Sequence, residues 1–234
     1  MVGRSRNYAA RLALWSGVVG PPLFVATFLI EGATRRGYDP IRLQVSYLSL
    51  GDQGWIQIAN FCLSGVLAIF FGWGLRQALQ SGRGSLLGPV LVAGYGVGLI
   101  VSGVFVTDAA FGYPPGTPSG GASTTTIHGL LHVIPGVPLT FGCPILASLV
   151  LAWRFWGDRA RGWAIYSVST PLLVAAAQIV VPESSMGLAQ RIALTLLAAW
   201  LAAIAAHFLL VTGRSRQTPS GSLGPTGQSP ALRG

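Results

Sequence analysis

The sequence predicts an all-α protein: a six-helix transmembrane bundle with both termini in the cytoplasm and a disordered cytoplasmic tail. Three observations support this fold class. Charged residues make up only 9% of the 234 residues, against about 25% in a typical soluble domain. Six apolar stretches are long enough to cross a bilayer, and the arginines are concentrated at alternate ends of these stretches. Such a composition argues against a soluble protein and against a nucleic-acid-binding function.

Each predicted span reaches the roughly 20 residues needed to cross a hydrocarbon core about 30 Å thick. The spans are residues 12–30, 55–75, 86–107, 127–153, 163–181 and 188–211, and together they define one integral membrane domain, residues 1–213. Three arginines precede the first span, as in a signal peptide. However, its apolar run is longer than the usual run of about 7–15 residues, and no A-x-A cleavage site follows. We therefore expect a retained helix.

The distribution of arginine predicts the orientation of the chain. Eleven of the 15 arginines lie at the termini and in the loops after the second and fourth spans, and the chain has no lysine. The other four are Arg35, Arg36, Arg42 and Arg191. Because arginine flanking a span is retained in the cytoplasm, we expect both termini inside a cell membrane. Residues 214–234 are rich in Gly, Pro and Ser without an apolar period, which predicts a disordered tail.

The loop of residues 108–126 is long for a simple connector. Its abundance of Gly, Pro, Ser and Thr is compatible with a lid, but a mobile surface loop is the favoured interpretation. The loop ends in Thr124, Thr125 and Thr126, any of which is suited to cap the fourth span.

The main candidate for chemistry is a group of three polar residues: Asp108, His128 and His132. Residues four apart share a helix face, and consecutive spans usually pack side by side, so the carboxylate and both imidazoles are expected at one depth. This is a ligand set that zinc or another divalent ion accepts. The favoured alternative is structural, with Asp108 bonded to His128 and fixing its tautomer. A proton or ligand relay is the third possibility.

A second polar segment precedes the second span. Ser46, Ser49 and Asp52 are three residues apart, so one helical turn would align them. We expect Ser49 or Asp52 to cap the second span; alternatively, the hydroxyls line an outward pocket with the first group. Asn60 is a buried polar group that needs a partner. Glu31 and Glu183 are interpreted as solvated interface residues.

Several of these residues also carry a family resemblance. The chain resembles the domain-of-unknown-function 998 family of bacterial and archaeal membrane proteins over roughly residues 12–212. The resemblance rests on the Ser-Tyr-Leu-Ser-Leu-Gly segment before the second span, Asn60-Phe61, Thr107-Asp108 and His128. It implies a multi-pass membrane protein and supplies no activity.

Two function classes follow from the sequence. The first is a non-enzymatic membrane protein with a polar outward pocket for a lipid or small molecule, or for support of a partner, without a cofactor. Its candidate binding residues are Ser46, Ser49, Asn60, Asp108 and His128. The alternative is a metal-dependent hydrolase of an outer-leaflet lipid, in which Asp108, His128 and His132 hold zinc or another divalent ion and serve as catalytic candidates. The oligomeric state is left open.

Overall fold

The computed structural model describes residues 2–214, which are helical wherever they are regular. Six helices are long and apolar enough to span a membrane, which confirms the predicted all-α fold with six spans; the cytoplasmic location of the termini stays a prediction. The helices are α1 (Val2–Thr34), α2 (Gly54–Leu79), α3 (Leu87–Val104), α4 (Ile127–Leu131), α5 (Val137–Gly157), α6 (Arg161–Val180) and α7 (Met186–Arg214). Within the described range no β-strand occurs. The predicted disordered tail, residues 214–234, lies outside the described residues apart from Arg214.

Three shorter helical segments complete the chain. A 3₁₀ turn, Val45–Ser49, precedes α2, and another, Glu183–Ser185, precedes α7. A π-helical segment, His132–Gly136, joins α4 to α5, so that these three elements make one continuous span, Ile127–Gly157.

The six spanning helices form a closed ring in chain order. Each packs on the next, from α1 through α2, α3, α5, α6 and α7, and α7 returns to α1. This is the arrangement expected when short connections join antiparallel neighbours. Large buried side chains on α7, including Trp200, Leu197 and Leu201, supply much of the interior.

Glycines let the backbones of α2, α3 and α5 approach closely. A Cβ atom at Gly65 would lie 2.5 Å from the Gly96 carbonyl oxygen, and one at Gly98 would lie 2.7 Å from the Thr140 amide. Gly94, Gly98 and Ser102 therefore place small side chains at the contact between α3 and α5. Small residues allow this close packing where water supplies no hydrophobic driving force between helices.

Residues 35–53 and 105–126 form a layer, here called the loop layer, over the end of the bundle opposite the termini. We call that end the loop face and the other the terminal face. Ala110 and Tyr113 are buried, and the Tyr113 ring meets the Tyr38 ring edge-on with centroids 5.3 Å apart. The prediction of a mobile surface loop is therefore wrong for its first part, whereas residues 118–126 are exposed.

Candidate functional site

A groove of about 610 Å³ lies between α5, α6 and α7 at the loop face. We call it the loop-side groove. Six polar residues line it: Gln44, Ser46, Thr107, His132, Gln178 and Gln190. Its apolar lining includes Val133, Val137, Pro138, Phe141, Ile145, Pro171, Val174, Ala175 and Met186. Among the described residues 2–214, no charged side chain lines it, so hydrogen bonding and apolar contact are the interactions that it offers.

The polar and apolar residues occupy different depths of this groove. Gln44, Ser46 and Thr107 belong to the loop layer or its edge, and Gln190 lies in the second turn of α7. Ile145 lies eight residues into α5, about 12 Å from its start at 1.5 Å per residue. The groove is thus polar at the loop face and apolar toward the middle of the bundle.

Proline and a π-helical segment shape the wall of the groove that α5 contributes. Pro135 lies inside the π-helical segment and Pro138 in the first turn of α5. Proline lacks the amide that continues an α-helix, and single-turn π segments occur frequently at functional sites. The π-helical segment therefore interrupts the regular α-helix of this span beside the groove.

His132 connects this wall to the end of α3. Its side chain is buried, and Nδ1 lies 2.8 Å from the Phe105 carbonyl oxygen. A carbonyl only accepts, so Nδ1 carries the proton and the neutral ring leaves Nε2 as an acceptor. His132 lines the loop-side groove. The sequence predicted Asp108 as the neighbour of His132, whereas its observed partner is the Phe105 carbonyl group.

Asp108 supports the start of α4. Its two carboxylate oxygens accept from the Thr126 hydroxyl at 2.6 Å and the Thr126 amide at 3.0 Å. The Thr126 hydroxyl in turn accepts from the Gly129 amide at 3.0 Å, which confirms Thr126 as an N-cap. A Cβ at Gly129 would lie 2.1 Å from an Asp108 carboxylate oxygen, so only glycine leaves room there. We predicted that Asp108 bonds His128, but in the structure Asp108 bonds Thr126 instead.

His128 lies on the exposed face of α4. Its ring meets the Phe105 ring edge-on, with centroids 5.6 Å apart, and it is not among the residues that line the groove. Among residues 2–214, no three His, Cys, Asp or Glu side chains are placed to hold a metal ion together. Asp108, His128 and His132 thus have three separate environments and do not fit a shared metal.

The remaining predicted binding residues divide between two places. Ser46 lines the groove, whereas the Ser49 hydroxyl is buried without a partner. Asn60 is buried within the bundle, where its amide donates to the Phe24 carbonyl and to Gln57 Oε1, each at 3.2 Å. Asn60 has thus found its partners in α1 and α2, away from the groove.

The predicted capping of α2 is wrong. Its N-cap residue is Gln53, and no side chain bonds the first amides. Ser46 and Ser49 instead belong to the 3₁₀ turn, which ends before Asp52. The start of α2 packs directly on that turn, since a Cβ at Gly54 would lie 2.2 Å from the Ser49 carbonyl oxygen.

Sequence reasoning missed the glutamines of the groove. Gln190 Oε1 accepts from the Val45 amide at 2.7 Å and so holds the 3₁₀ turn against α7. Gln178 donates to the Ala189 carbonyl at 3.4 Å across the α6–α7 connection. The sequence signal that could have identified Gln178 and Gln190 is a neutral amide side chain near the end of an apolar span.

It also missed the buried arginine that anchors the loop layer. Arg191 was counted as a loop charge, yet its side chain is buried in α7. It donates to the carbonyls of Pro40 at 2.6 Å, Leu43 at 2.8 Å and Gly187 at 3.0 Å, and to the Tyr38 hydroxyl. Burial raises the pKa of Tyr38, and the neighbouring Arg191 opposes that shift.

A second arginine holds the same layer to α1. Arg35 pairs with Glu31 and donates to the carbonyls of Leu48, Leu50 and Gln53 at 3.0–3.2 Å. The interpretation of Glu31 as a solvated residue is therefore wrong, because its side chain is only 7% exposed. Glu183 is exposed, as expected.

Comparisons with known proteins give one match. A family model described as "Protein of unknown function (DUF998)" matches residues 18–207. No curated protein and no solved structure matches the chain.

Proposed function

Since the chain belongs to the DUF998 family, whose description states no activity, we propose from its structure that it is a non-enzymatic membrane protein that binds an amphipathic lipid or similar small molecule in the loop-side groove. The observation that carries this proposal is the change from polar lining at the loop face to apolar lining at depth. A molecule with a polar head and a hydrocarbon tail matches this gradient, because each part then meets groups of its own kind.

The lining favours an uncharged head group. Gln44, Ser46 and Gln190 offer amide and hydroxyl groups, and His132 offers a neutral ring with Nε2 as an acceptor. An ionised head would be buried here without an opposite charge, which is costly. A glycerol-type head with free hydroxyls can both donate to and accept from these groups.

The groove is also accessible to the tail of such a ligand. Val133 and Val137, on its α5 side, are 56% and 37% exposed, and both lie within a span. Hydrocarbon is the medium at that depth. A lipid can therefore enter sideways from the bilayer, with its tail leaving between α5 and α6.

The orientation of the groove follows from the arginine distribution. With the termini in the cytoplasm, as the positive-inside rule favours, the loop layer and the groove face outward in a cell membrane. A reporter within residues 117–122 is then active outside, and one placed after Gly213 is active inside. The opposite pattern would place the groove at the inner leaflet.

A metal-dependent hydrolase has less support. Both oxygens of Asp108 are bonded to Thr126, and Nδ1 of His132 is bonded to Phe105. His128 is exposed beside the Phe105 ring. We therefore propose no metal for this site and no chemical step.

The proposal is tested by filling the groove with a side chain. Ala175 lines the groove, whereas its neighbour Ala176 is exposed and does not line it. Full-length protein in detergent is incubated with monoolein, an uncharged amphiphile with two hydroxyls, and bound lipid is counted by native mass spectrometry. We expect Ala175→Trp to lower the monoolein adduct below that of the wild type, and Ala176→Trp to leave it as in the wild type. Equal adducts on both variants would refute binding in this groove.

A further inference from the structure

A second groove, of about 540 Å³, lies between α5 and α6 at the terminal face, and we call it the terminal-side groove. Its lining is almost entirely apolar: Leu149, Ala152, Trp153, Trp156, Ala164, Ile165, Val168, Ser169 and Leu172. Along α6 its lining extends from Ala164 to Leu172, about 12 Å at 1.5 Å per residue. This length accommodates a large part of an acyl chain.

Two arginines stand over the tryptophans at the mouth of this groove. The Arg83 guanidinium lies 5.2 Å from the Trp153 ring centroid, and that of Arg161 lies 6.0 Å from the Trp156 ring centroid. These distances are within the range of cation–π attraction. The stacking keeps both positive charges at the membrane interface, directly beside the apolar lining.

The positive charge at this mouth has little compensation. Asp158 pairs with Arg154 at 3.3 Å. Within residues 2–214, no carboxylate pairs with Arg83, Arg159 or Arg161. Arg159 and Arg161 are exposed on the short connection between the two helices and at the start of α6. The groove therefore ends in an excess of positive charge that is open to a ligand.

The first turn of α6 adds partial positive charge at the same place. Its N-cap residue is Ala160, and no side chain bonds the first amides. The free N–H groups of a first helical turn carry partial positive charge and accept a phosphate well. No atom lies within 4 Å of a Cβ built at Gly162, so this turn is also open.

We propose that the terminal-side groove binds an anionic phospholipid. The phosphate contacts Arg159, Arg161 and the first amides of α6, while one acyl chain lies along the groove between Trp156 and Leu172. Basic pockets between spanning helices are a known mode of recognition of anionic lipid head groups. This site is independent of the loop-side groove, and neither proposal depends on the other.

The test compares an anionic and a zwitterionic phospholipid that have the same acyl chains. Purified full-length protein is titrated with phosphatidylglycerol or phosphatidylcholine of identical acyl chains, and bound lipid is counted by native mass spectrometry. Wild-type protein is expected to retain phosphatidylglycerol more strongly. The double variant Arg159→Gln/Arg161→Gln is expected to bind phosphatidylglycerol more weakly by about fivefold for each arginine. Phosphatidylcholine should be weakened less, because its choline group already neutralises the phosphate charge.

The matched control removes the same charge elsewhere on the terminal face. Arg11 on α1 is exposed, and Arg76 on α2 bonds only the Gln80 carbonyl; α1 and α2 do not pack against α6. The control variant Arg11→Gln/Arg76→Gln is expected to keep the wild-type lipid preference. A third variant, Ser169→Trp, fills the groove and is expected to weaken the binding of both lipids. Equal loss in both arginine variants, no preference in the wild type, or unchanged binding to Ser169→Trp would overturn the proposal.

Discussion

The two sides of the bundle are built differently. On the side of α2 and α3, glycines bring backbones into contact, and a Cβ at Gly65 or Gly96 would lie 2.5 Å from a carbonyl oxygen of the other helix. On the side of α6, the only glycine in the helix is Gly162, and nothing lies within 4 Å of its Cβ position. Closely packed helices leave no room for a ligand between them, whereas loosely packed helices leave such room.

Both grooves are consistent with this difference. Pro171, Val174 and Ala175 of α6 line the loop-side groove, while Ala164, Ile165 and Val168 line the terminal-side groove. One helix therefore borders two lipid-sized spaces, one toward each face. The comparison suggests that α1, α2 and α3 act as a scaffold and that α6 is the element that presents binding surfaces.

The largest effect is expected where backbones touch. Gly65→Val places a branched side chain against the Gly96 carbonyl and the Ile100 side chain. Overpacking usually costs about 1–3 kcal/mol, and this case should exceed that range because a backbone must move. We expect a monodisperse peak in detergent size-exclusion chromatography to be lost.

Gly142→Ala is the control for that change. Gly142 lies inside α5 with no atom within 4 Å of its Cβ position. Alanine is the better helix former by about 1 kcal/mol, so the thermal midpoint should stay the same or rise. If both glycine variants behave alike, the contrast between a tight and a loose side is wrong.

On the side of α6 and α7, side-chain hydrogen bonds, rather than close helix packing, hold the loop layer against the bundle. Arg191→Met leaves the carbonyls of Pro40, Leu43 and Gly187 without that donor. The Leu43 carbonyl keeps the Tyr38 hydroxyl as a donor and the Gly187 carbonyl lies within α7, so the Pro40 carbonyl is the group left unpaired. An unpaired buried polar group costs about 1–3 kcal/mol, and we expect a loss of this size, read as a lower thermal midpoint in detergent. Arg42→Met, at an exposed position of the same layer, should change the midpoint little. A small effect of Arg191→Met would show that the layer is held by its apolar contacts.

The features that the sequence predicted well depend on one helix or one helix end. The number of spans follows from hydropathy alone, and Thr126 caps α4 because an N-cap acts on amides two or three residues ahead. The partners of Asp108, His132 and Arg191 depend on which carbonyl or hydroxyl is nearest after folding. The sequence also does not indicate whether a charged side chain at the end of a span is buried, because backbone carbonyls can accept its hydrogen bonds in the interior.

The groove was only partly predictable for the same reason. Ser46 was proposed for a pocket, and His132 was proposed as a metal ligand; both line the groove. The glutamines were missed because a neutral amide near a span end has no strong pattern. The space itself lies between α5, α6 and α7, and no local sequence pattern predicts how three helices pack around a space.

A moderate effect is expected from Asp108. Asp108→Ala removes both acceptors of Thr126 and should cost about 1 kcal/mol, the usual size of a capping contribution. His128→Ala should stay within about 0.5 kcal/mol because the ring is exposed. Thermal unfolding measures both changes. A stoichiometric zinc content in wild-type protein that each of Asp108→Ala, His128→Ala and His132→Ala abolishes would restore the hydrolase hypothesis.

The smallest effect is expected from the ionisation of Tyr47, a buried tyrosine of the loop layer. Burial raises the pKa of Tyr47, and the Asp108 carboxylate raises it further, above the usual value of about 10. A raised pKa in the folded state means that the unfolded chain loses its proton first as pH increases. The contribution of Tyr47 to stability is therefore complete below about pH 10 and is lost above it, as the pH passes through the raised value.

Tyr47→Phe removes this titration and keeps the ring that meets Phe111 with centroids 6.1 Å apart. The thermal midpoint of the variant should therefore fall less steeply than that of the wild type as the pH rises above about 10. Tyr8→Phe, at a ring that is 67% exposed, serves as the control and should follow the wild-type curve. If the Tyr47→Phe curve also follows it, the Tyr47 hydroxyl is hydrated in the folded state, and the loop layer is open to water at that point.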